Sequence, residues 1–242
     1  RSSFFRKVIL ILLLQTRQIP VIFHLHGGQF HSFLEKNLVA SKLFAYVART
    51  CHVVVLGKEW ETRLADYLIS NQTTCLPNPT DNHLGYAQRK KIRKILFAGR
   101  LESGKGVYDL IDAWHLCSNN NNCELSIAGD GEIETCREVI RDKAIPNIKI
   151  LGWLDRSKMQ EQFKQCDALI LPSYDEGLPM SVLEAAQSGM LVMCSPVGSI
   201  PDFFDAESSL VLNAGNVTKI SQALTRAFDM QELEIERITH KA

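Results

Sequence analysis

Residues 173–189 read Ser-Tyr-Asp-Glu-Gly-Leu-Pro-Met-Ser-Val-Leu-Glu-Ala-Ala-Gln-Ser-Gly, a sequence that predicts a loop followed by a helix. Pro179 suits the first helical position, because the N–H that proline lacks would have no partner there. The N–H groups of Gly177, Leu178 and the first helical turn would then point out of the helix start. Such a helix start can bind a phosphate or a sugar oxygen.

Two carboxylates accompany this predicted anion site, Glu176 in the loop and Glu184 about two turns further along the helix. A carboxylate repels a phosphate, so the pair needs another explanation. It makes sense if the carboxylates bind hydroxyl groups on either side of the phosphate. A ligand with phosphate in the middle and hydroxyls at both ends is a nucleotide sugar. The alternative is a capped helix with two glutamates on its surface.

A second loop favours the phosphate interpretation. Residues 95–99 are a short apolar strand, residues 100–106 a glycine-rich loop, and residues 107–116 have helical apolar spacing. This order commonly presents N–H groups and a cation to a phosphate. The loop fits part of an NTP-binding motif, but Gly106 replaces the Ser or Thr that would bind magnesium.

Arg100 and Lys105 supply two positive charges in that loop. Two cations without a metal suit a diphosphate leaving group that side chains stabilise. The alternative is that both are solvated loop charges.

Six short motifs, taken in their order and spacing, form a specific set. They are Gly-Arg-Leu with Lys-Gly (99–106), Ile-Ala-Gly-Asp-Gly-Glu (127–132), Leu-Gly-Trp (151–153), the E-x7-E pair Glu176/Glu184, Leu-Pro-Asn-Pro (76–79) and His-Leu-His-Gly-Gly (24–28). The set resembles the large retaining glycosyltransferase family 4, which has the GT-B fold. The resemblance spans nearly the whole chain.

The resemblance implies a role for each matching residue. Arg100 and Lys105 would bind the donor diphosphate and stabilise it as it leaves, and Glu184 would accept hydrogen bonds from the ribose hydroxyls. Glu176, with the N–H groups of Gly177 and Leu178, would hold the transferred sugar. The pocket for the base would be lined mainly by backbone, from Gly129, Asp130, Gly131, Leu151, Gly152 and Trp153.

His26 would lie beside the sugar and the leaving phosphate, as the resemblance implies; the alternative is a histidine of the core. His24 shares its strand face, so the two could hold a metal, but the sequence shows no third ligand. The chain also has no D-x-D motif. We therefore expect a metal-independent site whose only small-molecule requirement is the nucleotide-diphosphate sugar.

The implied reaction is the retaining transfer of a sugar to an acceptor hydroxyl, of the hexosyltransferase type. Its acceptor would be a glycan or a lipid-linked molecule in surface polysaccharide or glycolipid biosynthesis. Two alternatives remain: an inactive nucleotide-binding fragment, and a nonhydrolysing sugar-nucleotide epimerase of the same fold.

An α/β alternation runs along the whole chain. Strands are predicted at 20–26, 52–57, 73–76, 93–98, 123–128, 147–151, 167–171, 191–194 and 209–212, and helices at 4–16, 32–50, 59–70, 106–117, 132–142, 156–165, 179–188 and 217–228. Two prolines followed by a polar stretch mark 76–91 as the domain boundary. We expect two Rossmann-like domains with parallel sheets, 1–78 on the acceptor side and 79–242 for the nucleotide sugar. Few strands precede the boundary, so we expect an incomplete N-terminal domain and a fragment truncated at both ends.

The formal net charge is zero but unevenly distributed. Residues 1–50 contain seven lysines or arginines and one acidic residue, Glu35. This basic part could make peripheral contact with anionic lipid headgroups, and a solvated face is the alternative. No basic-aromatic stripe or known module indicates a nucleic-acid partner.

Seven cysteines without a C-x-x-C pair indicate reduced, mostly buried thiols. They predict a cytoplasmic protein, with the inner face of the cell membrane as a variant of that location. Residues 8–14 form an apolar run that is too short to span a bilayer and that lacks a small-residue cleavage site. This run predicts a buried helix.

Overall fold

The computed structural model describes residues 2–80, 85–117 and 122–241. Contacts divide the chain into two compact units, the first comprising Arg1–Asn78 and Glu176–Leu178, the second Pro79–Asp175 and Pro179–Ala242. Part of the predicted boundary segment, residues 81–84, lies outside the described residues.

The first unit contains, in its described part, a parallel three-stranded sheet of order β1-β2-β3. Its strands are β1 Ile22–His24, β2 His52–Val55 and β3 Thr73–Cys75, and its helices are α1 Ser2–Gln15, α2 Phe30–Glu35, α3 Leu38–Thr50 and α4 Lys58–Arg63. Helix α3 buries Ala40, Phe44, Val47 and Ala48, a spacing that places all four on one helical face.

Helix α1 confirms the helix predicted at 4–16, but only one side of it is buried. Phe4, Val8 and Ile11 are buried, whereas Ile9 and Leu13 are about 60% exposed. The expected buried helix is therefore wrong for the outer side of α1, because nothing among the described residues covers it.

The second unit contains a parallel sheet of six strands among the described residues, in the order β6-β5-β4-β7-β8-β9. Its strands are β4 Lys94–Ala98, β5 Glu124–Ala128, β6 Ile148–Gly152, β7 Ala168–Leu171, β8 Leu191–Cys194 and β9 Leu210–Val211. Its helices are α5 Val107–Leu116, α6 Ile133–Asp142, α7 Arg156–Gln165, α8 Met180–Gln187, α9 Val217–Asp229 and α10 Glu232–Thr239.

The strand order of this sheet reverses between β4 and β7. From β4 the chain first adds β5 and β6 on one side, and then returns to add β7, β8 and β9 on the other. This is the doubly wound Rossmann order. In such sheets ligands bind outside the carboxyl ends of the strands at the point of reversal. The loops that follow β4 and β7 therefore mark the place to look for a site.

Apolar strands and helix faces form the core of the second unit. Every residue of β7 and β8 is buried, as expected of parallel strands covered on both sides. The Trp114 ring of α5 meets Phe228 of α9 edge-on at 5.8 Å, and its indole N–H donates to the Pro146 carbonyl at 3.1 Å. This packing fixes α5, whose first turn follows the β4 loop.

Two predicted helices differ from the structure, and a third helix of the structure was not predicted. The helix predicted at 32–50 is two helices, because the Asn37 side chain accepts the Ala40 N–H at 2.9 Å and starts α3 anew. The helix predicted at 59–70 ends at Arg63. Helix α10 was not predicted, although it buries Ile235 and Ile238 against the core.

Gly106 connects the β4 loop to α5 in a conformation that favours glycine. Its φ is +70°, and a Cβ there would lie 2.2 Å from the Pro172 carbonyl oxygen. Gly104, two residues earlier, has a non-strained φ, and an added Cβ would approach no atom closer than 3.9 Å. The two glycines are therefore a matched pair for testing how tightly this loop is packed.

We expect Gly106→Ala to lower the free energy of unfolding by roughly 2–4 kcal/mol, from backbone strain and overpacking against Pro172. Gly104→Ala should change it by about 0.5 kcal/mol or less. Urea denaturation followed by circular dichroism measures both. Equal stability of the two variants would contradict the close approach of Gly106 to Pro172.

Candidate functional site

The loop after β4 carries the two predicted phosphate-binding cations. Arg100 is exposed and forms an ion pair with Glu102, with 3.1 Å between Nε and Oε2. A pair this exposed contributes little stability, so the guanidinium can exchange this partner for a ligand. Lys105 is partly buried and lies in a 3-10 turn, Ser103–Lys105, where its N–H donates to the Glu102 carbonyl at 3.0 Å.

The loops after β4 and β5 run side by side. The Leu101 N–H donates to the Asp130 carbonyl at 2.7 Å, and the Glu132 N–H donates to the Leu101 carbonyl at 2.8 Å. A Cβ on Gly129 would lie 1.8 Å from the Gly99 carbonyl oxygen, so only glycine fits between them. The glycines of this motif allow two backbones to approach each other.

The predicted base-pocket residues lie at the same edge of the sheet. The Gly129 N–H donates to the Gly152 carbonyl at 2.8 Å, which joins the carboxyl ends of β5 and β6. Leu151 is partly buried, and Trp153 is 71% exposed directly after β6. An aromatic ring of this exposure offers a stacking surface, and the neighbouring backbone offers hydrogen bonds.

Helix α8 begins one residue later than predicted. Pro179 precedes the helix in an extended conformation (ψ 128°) and acts as its N-cap. Its carbonyl accepts the N–H groups of Val182 and Leu183 at 3.2 and 3.4 Å. The role of this helix start in binding a phosphate or a sugar oxygen stays a prediction.

Glu184 lies in the middle of α8 and is partly buried. Burial raises the pKa of its carboxyl above the ordinary value, and the positive charge of Arg156 lowers it in part. Hydrogen bonds donated by hydroxyl groups stabilise the charged form of a carboxylate in such surroundings.

The first unit also includes the short segment Glu176–Leu178, although the chain connects this segment at both ends to residues of the second unit. Glu176 is buried, with 8% of its surface exposed. Within the first unit, a Cβ on Gly177 would lie 2.3 Å from the His26 carbonyl oxygen, and the Asn78 amide donates to the Leu178 carbonyl at 2.7 Å. Glycine at 177 is thus required by a close backbone approach.

His24 is the last residue of β1, and His26 lies two residues after it. Their ring centroids are 3.9 Å apart, and His26 is exposed. The Nε2 atom of His24 is buried without a hydrogen-bond partner among the described residues. Burial, and secondarily the charge of His26, lower the pKa of His24, so its ring is neutral at pH 7. The role implied for His26 stays a prediction.

The described residues contain no group of three or more His, Cys, Asp or Glu side chains that could hold a metal ion. All seven cysteines are described as reduced thiols, and six of them are buried. Burial raises the pKa of Cys166 to about 11, which makes it a poor nucleophile. None of the helices described is both long and apolar enough to cross a membrane.

Two hydrogen bonds beside the loop after β4 could not be predicted from the sequence. Tyr108 donates its hydroxyl to Glu132, and Tyr174 donates its hydroxyl to Asp109 at 2.8 Å. Both pairs join the first turn of α5 to neighbouring loops. Nothing in the sequence signals them, because each partner is a common polar residue and the pairs are formed only by the fold.

The sequence of the second unit matches that of a known family. Residues 80–240 match the family described as Glycosyl transferases group 1, which is about two thirds of the chain. The chain belongs to this family.

Curated relatives are similar at moderate identity. A Bacillus subtilis (strain 168) glycosyltransferase named for teichuronic acid biosynthesis, TuaC, is 24% identical over 225 residues, 88% of this chain and 56% of TuaC. The GPI3 subunit of a Saccharomyces cerevisiae (strain YJM789) phosphatidylinositol N-acetylglucosaminyltransferase is 27% identical over 63% of this chain and 34% of its own. The chain thus spans about half the length of TuaC and a third of GPI3.

Solved glycosyltransferase structures share the fold. HepE of Anabaena, crystallised with UDP and glucose, superposes with a TM-score of 0.79 at 16% identity, over 97% of this chain and 68% of HepE. TarM of S. aureus, in a complex that contains UDP, gives a TM-score of 0.77 at 16% identity, over 92% of this chain and 46% of TarM. The predicted α/β fold of the GT-B class, with Rossmann-like parallel sheets, is confirmed.

Proposed function

We propose that the second unit binds the nucleotide part of a nucleotide-diphosphate sugar, and that the whole protein transfers the sugar to an acceptor hydroxyl with retention of configuration. The observation that carries this proposal is the strand reversal between β4 and β7, where Arg100 and Lys105 follow one strand and α8 with Glu184 follows the other. Membership of the group 1 family supports it.

The two cations suit the diphosphate because it carries the largest charge of the donor. Arg100 has a planar guanidinium that can bind two phosphate oxygens at once, and Lys105 adds a compact positive charge. Their loop is held against the β5 loop by backbone hydrogen bonds, so the cations are presented from a fixed backbone. As the sugar departs, negative charge grows on the diphosphate, and these cations stabilise it.

Glu184 suits the ribose, because one carboxylate accepts hydrogen bonds from two adjacent hydroxyls. Gly129, Leu151 and Trp153 then form the base pocket at the ends of β5 and β6. HepE and TarM were crystallised with UDP, which makes uracil the first base to test in this chain.

Glu176, with the N–H groups of Gly177 and Leu178, holds the transferred sugar in this proposal. Preorganised charges and dipoles stabilise an oxocarbenium-like transition state without requiring a nucleophilic side chain. The donor diphosphate is bound by side chains alone, so we propose that binding needs no metal.

The proposed acceptor is a hydroxyl of a cell-surface glycan or of a lipid-linked precursor. TuaC supports this choice through its name, which assigns it to teichuronic acid biosynthesis. A nonhydrolysing epimerase of the same fold is the competing function. Conversion of a sugar nucleotide without any acceptor would favour the epimerase.

The first prediction concerns the diphosphate. Lys105→Ala should weaken UDP binding by roughly 1.5–3 kcal/mol, because it removes a charge-assisted hydrogen bond, and should leave uridine binding nearly unchanged. Isothermal calorimetry with UDP, GDP and ADP measures this loss. The matched control is Lys164→Ala, an exposed lysine in the last turn of α7. Equal losses for nucleotide and nucleoside, or binding abolished by EDTA, would contradict the proposal.

A second prediction separates the two glutamates. Glu184→Gln should weaken binding of every ribonucleotide by about tenfold, because an amide accepts from two hydroxyls poorly. Glu176→Gln should weaken only the sugar-bearing donor. Since burial raises the pKa of Glu184, its carboxylate is protonated at a higher pH than an ordinary glutamate. Nucleotide affinity should therefore fall in mildly acidic solution in the wild type, and less so in Glu184→Gln.

The comparison of wild type with Glu184→Gln at each pH cancels the titration of the phosphate itself. If Glu176→Gln and Glu184→Gln lose free UDP equally, the division of roles between the two carboxylates is wrong. If neither variant loses any ligand, both glutamates lie outside the site.

The outer side of α1 supports a membrane contact. Ile9, Leu10 and Leu13 are 56–61% exposed there, and Arg6 and Lys7 are exposed beside them. The described helix has no acidic residue. Exposed apolar groups interleaved with cations suit the surface of an anionic bilayer, where the apolar groups enter the headgroup region. We propose that this face lies against such a surface while the enzyme acts on its acceptor.

The chain should sediment with phosphatidylglycerol-containing vesicles and much less with pure phosphatidylcholine vesicles, because the attraction is partly electrostatic. Arg6→Glu with Lys7→Glu should abolish the difference, and Leu13→Gln should weaken binding to both. Lys164→Glu with Lys219→Glu, two exposed lysines of the second unit, is the control because it changes the net charge by the same amount. A different outcome would contradict the membrane contact. If the chain does not bind vesicles but forms a dimer, and Leu13→Gln abolishes the dimer, the partner of this face is a second copy of the chain.

A further inference from the structure

Tyr174 joins the two loops that meet at the strand reversal. It lies three residues beyond the end of β7, and its N–H donates to the Gly104 carbonyl at 3.0 Å. Its hydroxyl donates to Asp109 Oδ2 in the first turn of α5 at 2.8 Å. One residue of the β7 loop is therefore bonded both to the β4 loop and to the helix that follows it.

The backbone contacts of the β7 loop lie on either side of Lys105. Tyr174 holds the carbonyl of Gly104, and the Pro172 carbonyl lies against Gly106, where an added Cβ would be only 2.2 Å away. The residues before and after Lys105 are thus both fixed by the β7 loop. The position of the Lys105 backbone depends on that loop as well as on its own 3-10 turn.

The tyrosine ring is itself held in place from a second side. Gly215, in the turn before α9, has a φ of +76°, and an added Cβ would lie 2.8 Å from the Tyr174 hydroxyl. The hydrogen bond to Asp109 raises the pKa of the Tyr174 phenol, so the phenol remains a protonated donor at neutral pH. Half of the side chain is exposed, so its hydroxyl can be removed without opening a buried cavity.

We propose that Tyr174 is a positioning residue for the donor diphosphate, acting through Lys105. Its separate hydrogen bonds to Asp109 and Gly104 fix the position of the loop that contains Lys105 relative to the carboxyl end of β4. We call the two hydrogen bonds that Tyr174 makes to Gly104 and Asp109 the clamp. The identity of the ligand rests on the proposed function, whereas the clamp does not.

Removal of the hydroxyl should loosen the loop without unfolding the unit. Tyr174→Phe keeps the ring and the backbone bond to Gly104 but loses the bond to Asp109. Asp109 is only partly buried and can then hydrogen-bond to water, which limits the effect on stability. We expect faster amide exchange at Lys105 and Gly106, whose N–H groups donate within the 3-10 turn.

The control is Tyr86→Phe, because Tyr86 is exposed to nearly the same extent as Tyr174 and its hydroxyl also has a bonding partner, Thr239. Asp109→Ala should behave like Tyr174→Phe, and the two effects should not add. Asp109→Asn keeps an acceptor oxygen for the tyrosine and should resemble the wild type.

The experiment has one measurement without ligand and one with it. Hydrogen exchange followed by mass spectrometry is measured on the full chain of each variant, over residues 103–106. Affinity is then measured by calorimetry for UDP, GDP and ADP and for the matching nucleosides. Tyr174→Phe and Asp109→Ala should weaken diphosphate binding about fivefold, as expected for one lost hydrogen bond, with nucleoside binding unchanged.

The outcomes separate this inference from the proposed function. Unchanged exchange in Tyr174→Phe overturns the clamp, and equal loss of diphosphate and nucleoside shows a general loss of structure and overturns the positioning role. If Asp109→Asn binds diphosphate as weakly as Asp109→Ala does, the effect is due to the lost charge, and the positioning role of Tyr174 is also overturned. If the wild type binds none of the three diphosphates, the proposed function fails, while the exchange result still decides on the clamp.

Discussion

Strand β4 pairs in parallel with β5 on one side and with β7 on the other, and the chemistry of the second unit depends on this pairing. Each loop leaving these strands turns toward its own helix, and in sheets of this order ligands bind at the carboxyl ends of the strands at the reversal. Arg100 and Lys105 lie in the loop after β4, and the loop after β7, which is bonded to it through Tyr174, leads to α8.

Glycine positions in the second unit follow from how closely its loops approach one another. At Gly129 and Gly106 an added Cβ would lie about 2 Å from a neighbouring carbonyl oxygen, and both residues have a positive φ. The backbone itself fills the space in which side chains would normally separate the loops. Loops packed this closely hold the side chains of Arg100 and Lys105 on a stiff backbone support.

Much of the fold could be predicted from the sequence because its signals are local. All nine predicted strands occur among the described residues, and most of them are apolar runs bounded by polar residues. The break between α2 and α3 was missed because apolar spacing continues across it, and the N-cap at Asn37 decides instead. The bond from Tyr174 to Asp109 joins residues 65 positions apart, so no local pattern could signal it.

The proposed ligand site contains both acidic and basic groups, and the burial of each explains how both are tolerated. Glu184 has a raised pKa, so ionisation there is costly until hydroxyl groups donate to the carboxylate. Arg100 is exposed and already solvated, so it loses little when it changes its partner. In the proposed function, a ligand with hydroxyls beside its phosphates satisfies both groups together. Inorganic diphosphate would satisfy only the cations, so the proposal predicts tighter binding of a nucleotide than of inorganic diphosphate.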